Sequence, residues 1–232
     1  MAVLKEHSKD KEDLTRKRLL LVAAEVFAEE GFDRARVREI CRRAGANVAA
    51  VNYHFGDKEK LYLAVLEHAH SCAGGPAEEL KGLKSEEKLR RFIAHFLNRV
   101  FQKEESSLHG RLMAREMVEP TFALQHLVEK NIRPRSKILL SIISELLDGE
   151  TDPVLLRRCA QCVMGQCAFH HHARAVISRL FPDQKYDENE LASLSDHITQ
   201  FSLAGIRACA KHSWPRKGEN GVRSSARSKG AQ

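Results

Sequence analysis

Apolar residues recur at helical spacing along almost the whole chain. Leu20, Ala23, Ala24 and Phe27 stand at i, i+3, i+4 and i+7, a stripe that buries one face of a helix. The pattern predicts a first helix over 13–30, with Gly31 as the residue just past its end. Val37, Ile40, Cys41 and Ala44 repeat the spacing in a much shorter second helix stopped by Gly45. Asn47 is an N-cap for a third short helix through His54, and Asp57 caps a longer fourth helix over about 57–72. The segment Ala73-Gly-Gly-Pro76 is the strongest internal break. Further helices are predicted over about 86–103, 109–118, 121–148, 154–181 and 188–212, with Pro134 kinking or splitting the third of these. Strand alternation, hairpin dipeptides between apolar runs and repeats of fixed period are absent. The fold class is therefore all-α.

Length and composition sharpen this. At 232 residues with 43% hydrophobic and 30% charged residues, the chain is long enough for a substantial core and ordinary for a soluble protein. The pattern divides it into a disordered arm over 1–12, a small helical domain over 13–72 and a larger helical domain over 73–212. A disordered basic tail over 213–232 follows, with five basic residues against one acid. The formal net charge of +7 suits an anionic partner. The longest stretch free of Asp, Glu, Lys and Arg runs from Cys159 to Ala173, too short for a membrane span, and the polar N-terminus has no apolar leader. These features point to a cytoplasmic protein without a membrane partner, whose six cysteines are reduced and pack as small apolar groups.

Two short apolar helices joined by Ala44-Gly45-Ala46-Asn47 form a helix-turn-helix pattern, in which Gly45 supplies the tight turn. Val51 and Phe55 anchor the second helix, leaving Val48, Ala49, Asn52 and Tyr53 to face outward toward a DNA major groove. Arg34, Arg36, Arg38, Arg42 and Arg43 crowd the preceding helix and its approach. They fit phosphate contacts, although for Arg42 and Arg43 a solvated helix face is an equal reading. His54 is either a packed or capping histidine or a phosphate donor.

The run ARVREICRRAGANVAAVNYHFGDKEKLYLAVL, with RLLLVAAEVFAEEGFD before it, resembles the tetracycline-repressor (TetR) family over about residues 14–68. The shared elements are the short helix, the Ala-Gly turn, the capped recognition helix, the aromatic-His-Phe triplet and Lys-Glu-x-Leu. HGRLMAREMVEPTFALQHLVEKNIRP and the MGQCAF run are similar to the C-terminal domain of the CecR-like subgroup. The resemblance implies an N-terminal three-helix helix-turn-helix domain, joined by a fourth helix to a helical-bundle domain for ligand binding and dimerisation. It implies a repressor that binds a palindromic operator in double-stranded DNA as a homodimer, with Arg36, Asn47, Val48, Ala49, Asn52, Tyr53, His54 and Lys58 at the DNA. Lys58 opens a helix, where a cation opposes the helix dipole, and a phosphate partner accounts for it. This chain has Ala35 and Arg36 where many members have Thr or Ser, and Val48-Ala49-Ala50 where many have Lys-Gly-Thr, so hydroxyl phosphate contacts are lost. Dimerisation is expected through the last two long helices, at Ala160, Val163, Gly165, Ala168, Leu194, Ile198, Phe201 and Gly205.

An effector pocket for a small hydrophobic or amphiphilic molecule is expected near Phe96, Met113, Arg115, Met117 and Phe122, where charge mixes with flexible apolar groups. Arg115 and Glu116 suit a structural ion pair in an ordinary core equally well. Cys159, Cys162, Cys167 and His170, His171, His172 are metal or redox residue types, but ligands along one helix cannot all converge on one ion. No cofactor and no metal are expected. Nucleotide-binding, zinc-protease and hydrolase motifs are absent, which argues against an enzyme. An activator, a metal- or redox-responsive regulator of the same fold, and a DNA-architectural protein are the alternatives. The large patterned C-terminal half argues against the last of these.

Overall fold

The structure is a computed structural model that describes residues 2–71, 79–101, 105–149 and 152–211. Among these residues all regular structure is helical. The elements are α1 (Ala2–Arg34), α2 (Val37–Ala44), α3 (Val48–Phe55), α4 (Lys58–Ser71), α5 (Ser85–Phe101), α6 (Glu105–Val118), α7 (Ala123–Leu127), α8 (Arg133–Leu146), α9 (Pro153–His172), α10 (Arg174–Leu180) and α11 (Glu188–Ala210). The Ala73–Pro76 break and the 213–232 tail lie outside the described residues.

Three expectations are corrected. Residues 2–12 of the expected disordered arm are helical: α1 starts at Ala2, because nothing before Gly31 breaks a helix and Leu, Lys and Glu favour one. At Gly31 the expected stop is visible as a break, with φ +80° inside the helical stretch. The 121–148 segment is split into α7, a wide π turn over Val128–Ile132, and α8. Pro134 lies just past that π turn in a continuous helical run, so its missing N–H and its ring interrupt the regular ladder there, and the wide turn accommodates them. The 154–181 segment is broken at Ala173 into α9 and α10. α6 begins at Glu105 rather than at 109, since no Gly or Pro lies between them and an acidic residue suits a helix start.

Two apolar cores form, and they do not follow chain order. The first joins Leu19, Phe27, Ile40, Val51, Leu61, Tyr62 and Leu66 of α1–α4 with Leu112, Ala123 and Leu127 of α6 and α7. The second joins Leu89, Ile93 and Leu97 of α5 with Leu139 and Ile143 of α8, Val163 and Cys167 of α9, and Ile198, Leu203 and Ile206 of α11. The chain thus enters the second core at Leu80, just before α5, returns to the first through α6 and α7, and then leaves it for good.

A buried carboxylate ties α4 to α6. Glu116 is only 1% exposed. The Tyr62 hydroxyl donates to its Oε1 at 2.6 Å, the Thr121 hydroxyl donates to the same oxygen at 2.9 Å, and the Thr121 backbone N–H donates to Oε2 at 3.1 Å. Burial, then the adjacent carboxylate, hold the Tyr62 hydroxyl far above the ordinary phenol range, so it stays a donor. The sequence suggested Arg115 as the partner of Glu116; the structure gives Glu116 a tyrosine and a threonine instead.

Candidate nucleic-acid interface

The turn between α2 and α3 is fixed at both ends. Gly45 adopts φ +58°, a left-handed conformation that suits glycine, and the Ala46 N–H donates to the Cys41 carbonyl at 2.9 Å. The buried Cys41 thiol donates to the Asn47 carbonyl at 3.5 Å, and Arg18 Nη2 donates to the Gly45 carbonyl at 3.4 Å. Burial raises the Cys41 thiol above its ordinary pKa, which keeps that donor protonated. The Asn47 side chain accepts from the Ala50 N–H at 2.8 Å, so Asn47 caps α3.

Val51 and Phe55 are the buried anchors of α3, packed on the first core. Its opposite face is open: Asn47, Ala49 and Asn52 are exposed, Val48 is 43% exposed and Tyr53 71%. His54 is half-buried and meets the Tyr53 ring edge-on at 5.0 Å. Arg36 is exposed at the residue preceding α2. Lys58 is half-buried; its Nζ donates to the Asp33 carbonyl at 3.3 Å and lies 4.5 Å from the Phe32 ring centre. The eight candidate DNA residues are thus exposed or half-buried, and Asn47 and Lys58 also hold the local backbone.

Arg42 and Arg43 behave as a structured helix face. Glu39 accepts from Arg42 Nε at 2.8 Å and Nη2 at 2.7 Å, and from Arg43 Nε at 2.7 Å; Arg43 also reaches Glu29 at 2.9 Å. The hydrogen bond from Arg42 first, and that from Arg43 next, hold the half-buried Glu39 carboxyl down at about 2. Sequence reasoning missed the part played by α1. The Tyr53 hydroxyl lies 3.2 Å from Glu12 Oε1, and the Arg16 guanidinium lies 5.3 Å from the Phe55 ring centre. Glu12 and Arg16 are one helical turn apart, so the spacing carried the signal, but reading 1–12 as disordered hid it.

The five candidate effector residues do not share a site. Phe96 packs against the second core, whereas Met113 packs against the first. Met117 is 64% exposed, and Phe122 is partly exposed and meets the Phe32 ring edge-on at 5.1 Å. Arg115 reaches α1, donating to the Glu30 carbonyl at 3.3 Å over Gly31, whose missing side chain leaves room for the guanidinium. Among the described residues, no three His, Cys, Asp or Glu side chains converge as a metal site requires. His170 Nδ1 meets the Tyr186 hydroxyl at 3.2 Å, and His171 Nε2 crowds the Gly110 backbone.

A helix-turn-helix with an open recognition face, carried on a larger helical domain, defines a DNA-binding transcription regulator. Residues 19–65 match the family described as bacterial regulatory proteins, tetR family, and residues 85–206 match the C-terminal domain of the HTH-type transcriptional dual regulator CecR. The chain belongs to the TetR family of transcription regulators, which are not enzymes, with a C-terminal domain of the CecR type. It is 24% identical over 210 residues to the HTH-type transcriptional repressor NicS of Pseudomonas putida, covering 84% of this chain and 93% of that one. It is 30% identical over 147 residues to the dual regulator CecR of Shigella flexneri, covering 58% and 65%. The fold is shared with the transcriptional regulator FadR of Bacillus subtilis, solved in complex with stearoyl-CoA, at a TM-score of 0.59 and 17% identity over 82% of this chain and 98% of that one. Among the described residues, no helix is long and apolar enough to cross a membrane.

Proposed function

We propose that this chain is a cytoplasmic repressor that binds a palindromic operator as a homodimer and is released by a small hydrophobic or amphiphilic effector. The observation that carries the DNA reading is the polarity of α3: Val51 and Phe55 are buried while Asn52 and Tyr53 are bare. Asn52 reads a base edge, since a carboxamide can both donate and accept there. Arg36, Tyr53, His54 and Lys58 contact phosphates, Val48 and Ala49 meet the groove floor, and Asn47 acts through its cap. Lys58 has three ammonium hydrogens, and the Asp33 carbonyl takes one. A repressor is favoured by the similarity to NicS, which extends over most of both chains. The effector reading rests on the second core, which is larger than presenting one recognition helix requires.

The test is binding of purified protein to genomic fragments, followed by titration on the retained site at several salt concentrations. Asn52→Ala is expected to relax discrimination at one base pair per half-site, a loss of about 1–3 kcal/mol. Lys58→Ala is expected to weaken binding to all sequences and to flatten the salt slope by about one unit. An unchanged slope would remove Lys58 from the phosphate contacts.

The dimer face is narrower than the sequence suggested. Ala160, Val163, Leu194 and Ile198 are at most 8% exposed and fill the protomer's own core, so they are not free to meet a partner. Ala168 is half-buried. The open stripe is Cys162, Gly165 and Phe169 on α9, beside Phe201, Ala204, Gly205 and Ala208 on α11. Phe201 is 64% exposed and Phe169 59%, and a side chain added at Gly165 or Gly205 would meet nothing within 4 Å in the protomer. Phe201→Glu should shift the protein from dimer to monomer in light scattering at micromolar concentration, with its helical content retained. A dimer that survives this change would place the interface elsewhere.

A further inference from the structure

α9 and α11 pack antiparallel, and one hydrogen bond sets their register. Gln166 Nε2 on α9 donates to Ser202 Oγ on α11 at 3.1 Å. Seven residues, or about two turns, return a helix to the same face. Seven residues back from Gln166 is Cys159, and seven residues forward from Ser202 is Cys209. In an antiparallel pair these two steps run in the same direction, so Cys159 and Cys209 stand opposite one another. The electrostatics agree with this register: the Cys209 thiol, and next the Cys162 thiol one turn along α9, act on the Cys159 thiol. Both cysteines are free; Cys159 is buried and Cys209 is partly accessible. A cluster confined to α9 could not converge, but Cys209 reaches it from α11 after some fifty intervening residues.

We propose that Cys159 and Cys209 form a reversible disulfide within one chain, joining α9 to α11, when the protein meets a peroxide. The facing positions suit the bond, since a disulfide forms only between residues whose side chains already point at each other. Burial is the larger cause, and the neighbouring thiols the smaller, that push the Cys159 thiol up to about 11. Cys159 is therefore a poor first nucleophile, and the more accessible Cys209 reacts first. Its thiolate attacks one oxygen of hydrogen peroxide; the O–O bond breaks, and a sulfenic acid and hydroxide form. The Cys159 sulfur then attacks the Cys209 sulfur, the S–S bond forms, the S–O bond breaks and water leaves. The Cys159 proton departs with that oxygen as water, and the proton that Cys209 released on becoming a thiolate neutralises the hydroxide. Two thiols and one peroxide give one disulfide and two waters, and a dithiol reductant reverses the change.

The experiment uses the full reduced chain without DNA, so its outcome is independent of the operator reading. The protein is treated with hydrogen peroxide, residual thiols are blocked, and intact and digested masses are taken without reduction. The expected result is four blocked thiols per chain in place of the six of the reduced protein, and a Cys159–Cys209 cross-linked peptide that dithiothreitol removes. C162S should leave the cross-link intact, whereas C209S and C159S should each abolish it. Circular dichroism would establish that every variant keeps its helices, and the oxidised wild type should melt at a higher temperature than the reduced protein. Recovery of Cys159 and Cys209 as blocked thiols after oxidation would overturn the proposal, as would a cross-link through Cys162 in their place.

Discussion

Phe27→Ala should abolish operator binding by unfolding the first core while the second keeps its helices. Phe27 is fully buried, meets the Tyr62 ring edge-on at 4.7 Å and stacks on Phe32 at 6.2 Å. It lies on α1 in the core against which α3 is anchored. Truncating a buried phenylalanine costs roughly 3–5 kcal/mol, through lost transfer energy and the cavity left behind. That is a large share of the roughly 5–15 kcal/mol that holds a typical domain together. Urea unfolding followed by circular dichroism should show an early transition with a residual helical plateau, and fragment binding should vanish. A single transition at the wild-type midpoint would mean that the site repacks.

Glu116→Ala is the second large expected effect, and it acts by a different route. The substitution leaves the buried Tyr62 hydroxyl and the Thr121 backbone N–H without the acceptor they share. Each orphaned buried group costs about 1–3 kcal/mol, so a loss of about 3 kcal/mol is expected. Replacing both ends should recover part of it, because Tyr62→Phe removes one of the groups left unpaired. A Glu116→Ala, Tyr62→Phe double variant is therefore expected to be more stable than Glu116→Ala alone, as read from urea midpoints. Strict additivity of the two changes would show that the carboxylate and the hydroxyl contribute separately. The same contact spans α4 and α6, so the single variant should also weaken operator affinity more than a surface change of equal stability cost.

The helix-turn-helix was legible in the sequence because short-range chemistry dictates it. Gly45 and Asn47 do their work within a few residues of their own position, and the four-residue spacing of Val51 and Phe55 marks the face that α3 buries. The outward face of α3 followed from the same periodicity. What could not be read was whatever depends on partners distant in sequence. Arg115 looked like a pocket residue but reaches Glu30, and Glu116 looked like its ion-pair partner but bonds Tyr62. The apolar stripe of α11 was visible, yet periodicity cannot say whether Leu194 and Ile198 face their own chain or a second one; they face their own. The pairing of Cys159 with Cys209 needed the register of two helices, and no local pattern carries that.

The crossing of the chain between its two cores has a bearing on how the protein comes off the ribosome. Leu112, Ala123 and Leu127 complete the apolar interior that supports the recognition helix, yet they are made only after all of α5. A nascent chain that has just finished α4 holds Phe27 and Tyr62 with part of their cover still unsynthesised. Translation must pass Leu127 before that interior can close, and a fragment cut after Ser71 would stay in the half-built state for good.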